Sequence, residues 1–155
     1  VSSNMVYGCE AKAMAMLRGE YEEPIVNLID TVGYTNGVRL STSSGTTKST
    51  TETYTTTGYI KMDSTSEVFH TSGVVFDGDV HAQSIVCVYD SSKSFLIGAY
   101  ITSNQTDGKT LSLTYCRLTK DGNGNLTIKP TAEGMGCYFK LSGYGSGAEL
   151  IITKG

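Results

Sequence analysis

Two histidines (His70, His81), four cysteines and fifteen carboxylates are the groups in this 155-residue chain from which acid–base, metal or nucleophilic chemistry would be built. Their spacing builds little of it. Neither histidine sits in an HxH or HxxxH pair. Cys9, Cys87, Cys116 and Cys137 form no Cys-x-x-Cys or Cys/His ligand set, and no Gly-x-Ser-x-Gly elbow joins a strand to a helix. The densest polar cluster is Asp77-Gly78-Asp79 with His81. It suits a solvated turn or, with two carboxylates and an imidazole, a divalent cation. Asp121-Gly122-Asn123-Gly124-Asn125 opens like a calcium loop. It then places Leu126 at the sixth position and Ala132 at the twelfth, where Gly and Glu are needed, so it reads as a hairpin turn. Gly143-Tyr144-Gly145-Ser146-Gly147 is glycine-rich but precedes no helix. It reads as a flexible hairpin loop, not a phosphate cradle. The expectation is a chain that is not an enzyme, with no catalytic residue, metal or cofactor.

Binding chemistry is better represented. The chain has ten tyrosines and no tryptophan, with 17 serines and 21 threonines. Tyrosine rings offer faces to the C–H side of a sugar, and short polar side chains serve its hydroxyls, although tyrosine is also simply a good strand former. Alternation with period two places Ile60 and Met62 on one side of a strand, with Tyr59 and Lys61 on the other. By the same rule Cys137, Phe139 and Leu141 turn inward while Tyr138 and Lys140 turn outward, and Tyr100 opposes Ile97, Ala99 and Ile101. Tyr59, Lys61, Tyr100, Tyr138 and Lys140 are the candidate ligand-binding residues.

The elements that must position them are strands. Turn-bounded apolar runs are expected at 54–62, 67–71, 74–76, 84–89, 95–102, 111–119, 126–129, 135–141 and 149–153, the pattern of an antiparallel β domain. Ser84–Tyr89 is apolar throughout and reads as a central strand, with Asp90-Ser91-Ser92-Lys93 as a tight turn after it. The stretch from Ser41 to Thr57 holds 13 Ser/Thr in 17 residues, and a mobile loop is expected around Thr42–Lys48. Residues 9–18 are the strongest helix former, bracketed by Gly8 and Gly19. Met5, Cys9, Ala13, Met16 and Leu17 give it an apolar stripe that must pack on its own domain or on copies of itself. The expected organisation is an N-terminal helical segment and linker over 1–26 and a β domain over 27–155.

Charge and size narrow the partners. Net charge is −3, against a phosphate-backbone binder and hence against a nucleic-acid partner. No apolar run approaches a membrane span, so no membrane insertion is expected, and no signal peptide is visible. A chain starting at Val1 fits a processed or trimmed product, or a piece of a longer protein. Cys87, Cys116 and Cys137 lie in apolar runs and are expected as buried free thiols, with Cys87–Cys116 or Cys116–Cys137 bridges as the alternative.

The order of certain segments adds a resemblance. Gly-Val-Arg-Leu-Ser-Thr-Ser-Ser-Gly (37–45) is followed by Thr-Thr-Gly-Tyr-Ile-Lys-Met (56–62) and Val-Tyr-Asp-Ser-Ser-Lys-Ser-Phe-Leu (88–96). The close is Gly-Cys-Tyr-Phe-Lys-Leu-Ser-Gly (136–143) and Ala-Glu-Leu-Ile-Ile-Thr (148–153). Over about residues 27–155 this resembles the jelly-roll, carbohydrate-binding-module-like domains of bacteriophage and prophage tail and tail-fibre proteins. The resemblance implies an all-β fold, a two-sheet antiparallel β-sandwich of jelly-roll type; the short N-terminal helix lies outside it and completes the expected fold. It implies a non-catalytic recognition or structural head domain of a phage tail appendage that binds host-surface polysaccharide. Such a domain would be assembled in the bacterial cytoplasm, would reside in the virion tail or outside the cell, and would contact other subunits of the appendage as a homotrimer. Two other readings stay open: an auxiliary carbohydrate-binding module of a secreted bacterial glycosidase, and a purely structural virion assembly domain.

Overall fold

The computed structural model describes residues 25–76, 84–101 and 110–155. The expected helix over 9–18 with its apolar stripe and the Asp77-Gly78-Asp79/His81 cluster lie outside the described residues.

The described residues form an all-β fold, and their strands pair antiparallel. In order its strands are β1 (Tyr34–Asn36), β2 (Val38–Leu40), β3 (Thr47–Ser49), β4 (Tyr54–Thr57), β5 (Ile60–Lys61), β6 (Phe69–Ser72) and β7 (Ile85–Tyr89). They continue as β8 (Phe95–Tyr100), β9 (Thr110–Leu113), β10 (Cys116–Lys120), β11 (Leu126–Pro130), β12 (Tyr138–Tyr144) and β13 (Ile151–Lys154). A single helical turn, α1 (Ile29–Val32), precedes them. Asn27 fastens it: its Nδ2 donates to the Leu150 carbonyl at 3.0 Å, and its Oδ1 accepts from the Ile29 and Ile152 amides.

One sheet has six strands in the order β1-β4-β12-β7-β8, with β5 paired to the other end of β12. The second has five, β13-β6-β11-β10-β9, and β2 with β3 forms a separate ribbon. Both larger sheets feed one hydrophobic cluster. Ile60, Val86, Val88, Phe139 and Leu141 enter it from the six-stranded sheet, and Phe69, Leu118, Ile128 and Ile152 from the five-stranded one. Phe69 and Phe139 meet edge-to-face at 5.1 Å between centroids. Alternation along the strands produces this, since residues i and i+2 share a face.

Several expectations need correction, among them the single run over 54–62, which holds two strands, β4 and β5, and the strand over 74–76, where Val75 makes only an isolated bridge to Tyr144. Residues 42–48 are not a loop leading into a strand but the turn and second strand of the β2–β3 hairpin. Gly45 supplies φ +68°, the Ser41 amide donates to the Thr46 carbonyl, and Ser44 and Thr46 hydroxyls bond at 2.7 Å. The hydroxyl-rich tract folds because its hydroxyls find partners: Thr56 Oγ1 donates to the Val38 carbonyl at 2.7 Å, and Thr57 Oγ1 donates to the Gly58 carbonyl and accepts from the Leu141 amide. The run 111–119 is two strands, β9 and β10, turning at Thr114-Tyr115. Thr131 holds that turn from a distance, its hydroxyl on the Thr114 carbonyl and its amide on the Tyr115 carbonyl. The 143–147 segment is not a hairpin loop. Gly143 and Tyr144 belong to β12, and the chain then crosses to β13 in the other sheet through a short 3-10 turn at Gly147–Glu149.

Glu67 anchors one edge. Its Oε1 accepts from the Asp63 and Ser64 amides at 2.6 and 2.7 Å, and its Oε2 pairs with Lys154 Nζ on β13 at 3.0 Å. Burial alone would raise its pKa, but the Lys154, Ser64 and Asp63 contacts together outweigh burial, and the net shift is downward from 4.5. A lowered folded-state pKa gives stability that is fully present above the ordinary value and is lost as pH falls through the folded one. Glu67→Gln is therefore expected to melt below the parent at neutral pH, with the gap closing on acidification below 4.5. Melting curves of both proteins against pH check this; a gap that stays constant to low pH counts against the pairing.

Candidate binding site

The outer face of the six-stranded sheet carries the candidate residues. Register places its side chains in rows. Tyr138 on β12 lies opposite Lys61 on β5 and Tyr89 on β7, and Tyr89 lies opposite Phe95 on β8. The next row along is Lys140, Cys87 and Gly98, and the next Ser142, Ile85 and Tyr100. The β2–β3 ribbon lies on this face and leaves the first row at its margin. It is pinned by the Leu40 amide on Ser142 Oγ at 2.9 Å, by Cys87 Sγ on the Ser41 carbonyl, and by the Tyr89 hydroxyl on the Gly45 carbonyl at 2.5 Å. Gly98 permits the approach, because a Cβ there would stand 2.7 Å from the Thr42 carbonyl oxygen.

Four aromatic rings gather at this margin. Tyr59 meets Tyr89 edge-on at 5.0 Å and Tyr138 at 5.9 Å, and Tyr89 meets Phe95 at 6.0 Å. Two ammonium groups join them. Lys140 Nζ is 4.6 Å from the Tyr59 centroid, and Lys93 Nζ is 5.0 Å from Tyr59 and 5.4 Å from Tyr138. Such contacts are cation–π attractions. Tyr59, Tyr138 and Lys140 are half-buried, while Lys93 is exposed. Burial pulls the Lys140 pKa below its ordinary value, with an opposing pull from Cys87.

Of the sequence-predicted residues, the structure brings Tyr59, Tyr138 and Lys140 together and sets Lys61 beside them. Lys61 is drawn toward Asp63 at 3.7 Å. Tyr100, 42% exposed, is apart, two rows or about 13 Å along the strands. Sequence reasoning missed Tyr89, Phe95 and Lys93. Tyr89 hides in a run that is apolar on both faces. Lys93 has no periodicity to mark it, since it belongs to the turn after β7.

Chemically the arrangement offers two ammonium groups set against aromatic rings. Both lysines approach the Tyr59 ring, which holds the two cations at this margin of the sheet. Among the described residues no three His, Cys, Asp or Glu side chains stand together as a metal site would require. His70 is exposed on the other sheet, between Thr127 and Thr153. The Asp121 carboxylate closes its own hairpin, accepting from the Asn123 and Asn125 amides. No helix among the described residues is long and apolar enough to cross a membrane.

Cys87, Cys116 and Cys137 are free and buried. Burial pushes the Cys87 thiol to about 11, against pulls from Tyr89 and Lys140, and the Cys116 thiol to about 12, helped by Cys137. Cys137 also moves up, through burial and then Asp90. Raised pKa values leave little thiolate, the nucleophilic form. Iodoacetamide treatment of the folded chain at about pH 8 should leave all three unmodified over times that alkylate an ordinary exposed thiol. Rapid labelling, or a disulfide found by mass spectrometry, would contradict the burial.

Comparison of the chain with protein-family models, with curated proteins and with solved structures gives no match.

Proposed function

We propose that this chain is a non-catalytic recognition domain that binds host-surface polysaccharide through the outer face of its six-stranded sheet, as the head of a phage tail appendage. The observation that carries the binding reading is the margin of that face, where Tyr59, Tyr138, Lys93 and Lys140 converge beside the ribbon. Half-exposed aromatic rings with hydrogen-bond donors around them fit a sugar ring, apolar on its faces and polar at its edges. A two-sheet sandwich of jelly-roll type is the architecture this reading entails. Support for it is the single core filled from both sheets and the Phe69–Phe139 contact within it. Placement in an appendage, and a homotrimer built on residues 1–26, rest on the resemblance of the segments over 27–155.

One shallow site makes weak contact. A dissociation constant on the order of millimolar to tens of micromolar is expected, about −4 to −7 kcal/mol. Several heads on one appendage raise that by avidity. The test is an array of bacterial surface polysaccharides probed with the artificially multimerised domain, then with Tyr138→Ala and Tyr59→Ala. Binding by the parent and its loss in both variants is the expected result. Parent-level binding by both variants would remove the site, and no binding by the parent would remove the function.

A further inference from the structure

We infer that Lys93 and Lys140 form a receptor for the negative charge of an acidic saccharide, an inference that rests on the glycan-binding reading of this face. Three independent features of the pair converge on it. The first is their placement. Both ammonium groups are held over the same tyrosine ring, at 4.6 and 5.0 Å from its centroid. Their nitrogens are thus within about 10 Å of each other, comparable to the Debye length at 0.1 M salt, so each feels the other's charge.

The second is the missing counter-charge. Among the described residues neither ammonium has a carboxylate partner. Asp63 lies 3.7 Å from Lys61 instead, and Asp90, in the same turn as Lys93, turns its Oδ1 to the Ser92 and Ser94 amides. Lys140 is half-buried as well, so its charge has lost part of its water without an anion in return. A ring quadrupole compensates a cation in part; an anion does so more fully.

The third is backbone strain at Lys93. Its φ is +66°, the one positive value outside glycine among the described residues. Glycine or asparagine is the usual occupant of such a turn position, and a long side chain there costs conformational energy. A strained residue at a site is a pointer toward function. Here the strained geometry delivers the ammonium to Tyr59 and Tyr138.

The ring cluster selects a sugar and the two cations select an acidic one. The shared ligand chemistry is an anionic group on a saccharide, either a carboxylate, as in a uronic acid, or a phosphate ester. Lysine serves both, being a point charge rather than a planar fork.

The test uses a polysaccharide array of acidic and neutral members with the parent domain, Lys140→Met, Lys93→Asn and, as a control for net charge, Lys129→Met, which is exposed on β11 of the other sheet. Binding is expected only to acidic members, weakening as salt rises. Each site variant should bind about tenfold or more weakly, since each removes a charge-assisted contact. Lys129→Met should bind like the parent. Lys93→Asn should melt no lower than the parent, because asparagine tolerates the left-handed position; loss of binding without loss of fold separates recognition from structure. Carboxyl reduction of the bound polysaccharide abolishes binding if the charge is a carboxylate, and removal of phosphate esters does so if it is a phosphate. Binding to neutral members that is indifferent to both lysines overturns this inference and leaves glycan recognition standing. Binding to no polysaccharide of either kind overturns both.

Discussion

Gly73→Ala is expected to lower the free energy of unfolding by about 3 kcal/mol or more. Gly73 has φ +89°, where an L side chain costs roughly 1–2 kcal/mol. A Cβ there would also stand 1.7 Å from the Glu149 carbonyl oxygen, a backbone atom that cannot rotate away. Overpacking adds about 1–3 kcal/mol. The position matters because two passages between sheets touch there. One leaves β6 and reaches Val75, which bridges Tyr144 at the end of β12; the other leaves β12 through the 3-10 turn that contains Glu149 and reaches β13. The control is Gly37→Ala, with φ +80° and open space around it, which isolates the backbone cost at about 1–2 kcal/mol. Urea denaturation of both variants decides. If Gly73→Ala loses no more than Gly37→Ala, the two passages are not in close contact.

The turns show where sequence reasoning reaches and where it stops. The Asp121–Asn125 turn was legible because its causes are local: the aspartate carboxylate, the backbone and Gly124 at φ +77° all lie within five residues. The turn at Thr114-Tyr115 was not. It has no Gly, Asn, Asp or Pro, and its carbonyls are held by Thr131 across the chain. Gly143 reads as a loop residue by type. It is a strand residue in fact, paired with Thr55, and a glycine stands there because an added Cβ would meet Val74 and Phe76 at 2.7 and 3.0 Å. A close approach by distant residues is a tertiary cause, absent from a local window.

The candidate site divides along the same line. Tyr59, Tyr138 and Lys140 were legible because alternation fixes which face a strand residue takes. That Tyr100 shares the face but not the cluster depends on the pairing of Ile85 with Tyr100 and of Tyr89 with Phe95, which is register, set between strands. Lys93 depends on a turn conformation and on a bulge at Val88/Tyr89 that shifts β8 against β7.

Phe139→Ala is expected to cost about 3–5 kcal/mol, the range for removing a buried aromatic ring from a packed core. Phe139 is fully buried, and its ring edge meets Phe69 of the other sheet. A double-mutant cycle with Phe69→Ala should return a coupling of about 0.5–1.5 kcal/mol for the ring pair beyond area burial. A loss below about 1.5 kcal/mol for Phe139→Ala, smaller than core truncations give, would mean the two sheets do not share this core. The substitution also separates the two faces of one strand. Phe139 lies between Tyr138 and Lys140 in sequence, yet points to the core while they point to the ring cluster. If the proposed glycan binding holds, Phe139→Ala should lose it only in proportion to the fraction unfolded, and recover it when cooling or a stabilising osmolyte refolds the chain. Tyr138→Ala and Lys140→Met should do the reverse, losing binding while the chain stays folded. If Phe139→Ala stays folded by its melting curve and still loses binding, the inner and outer faces of β12 are coupled by more than alternation.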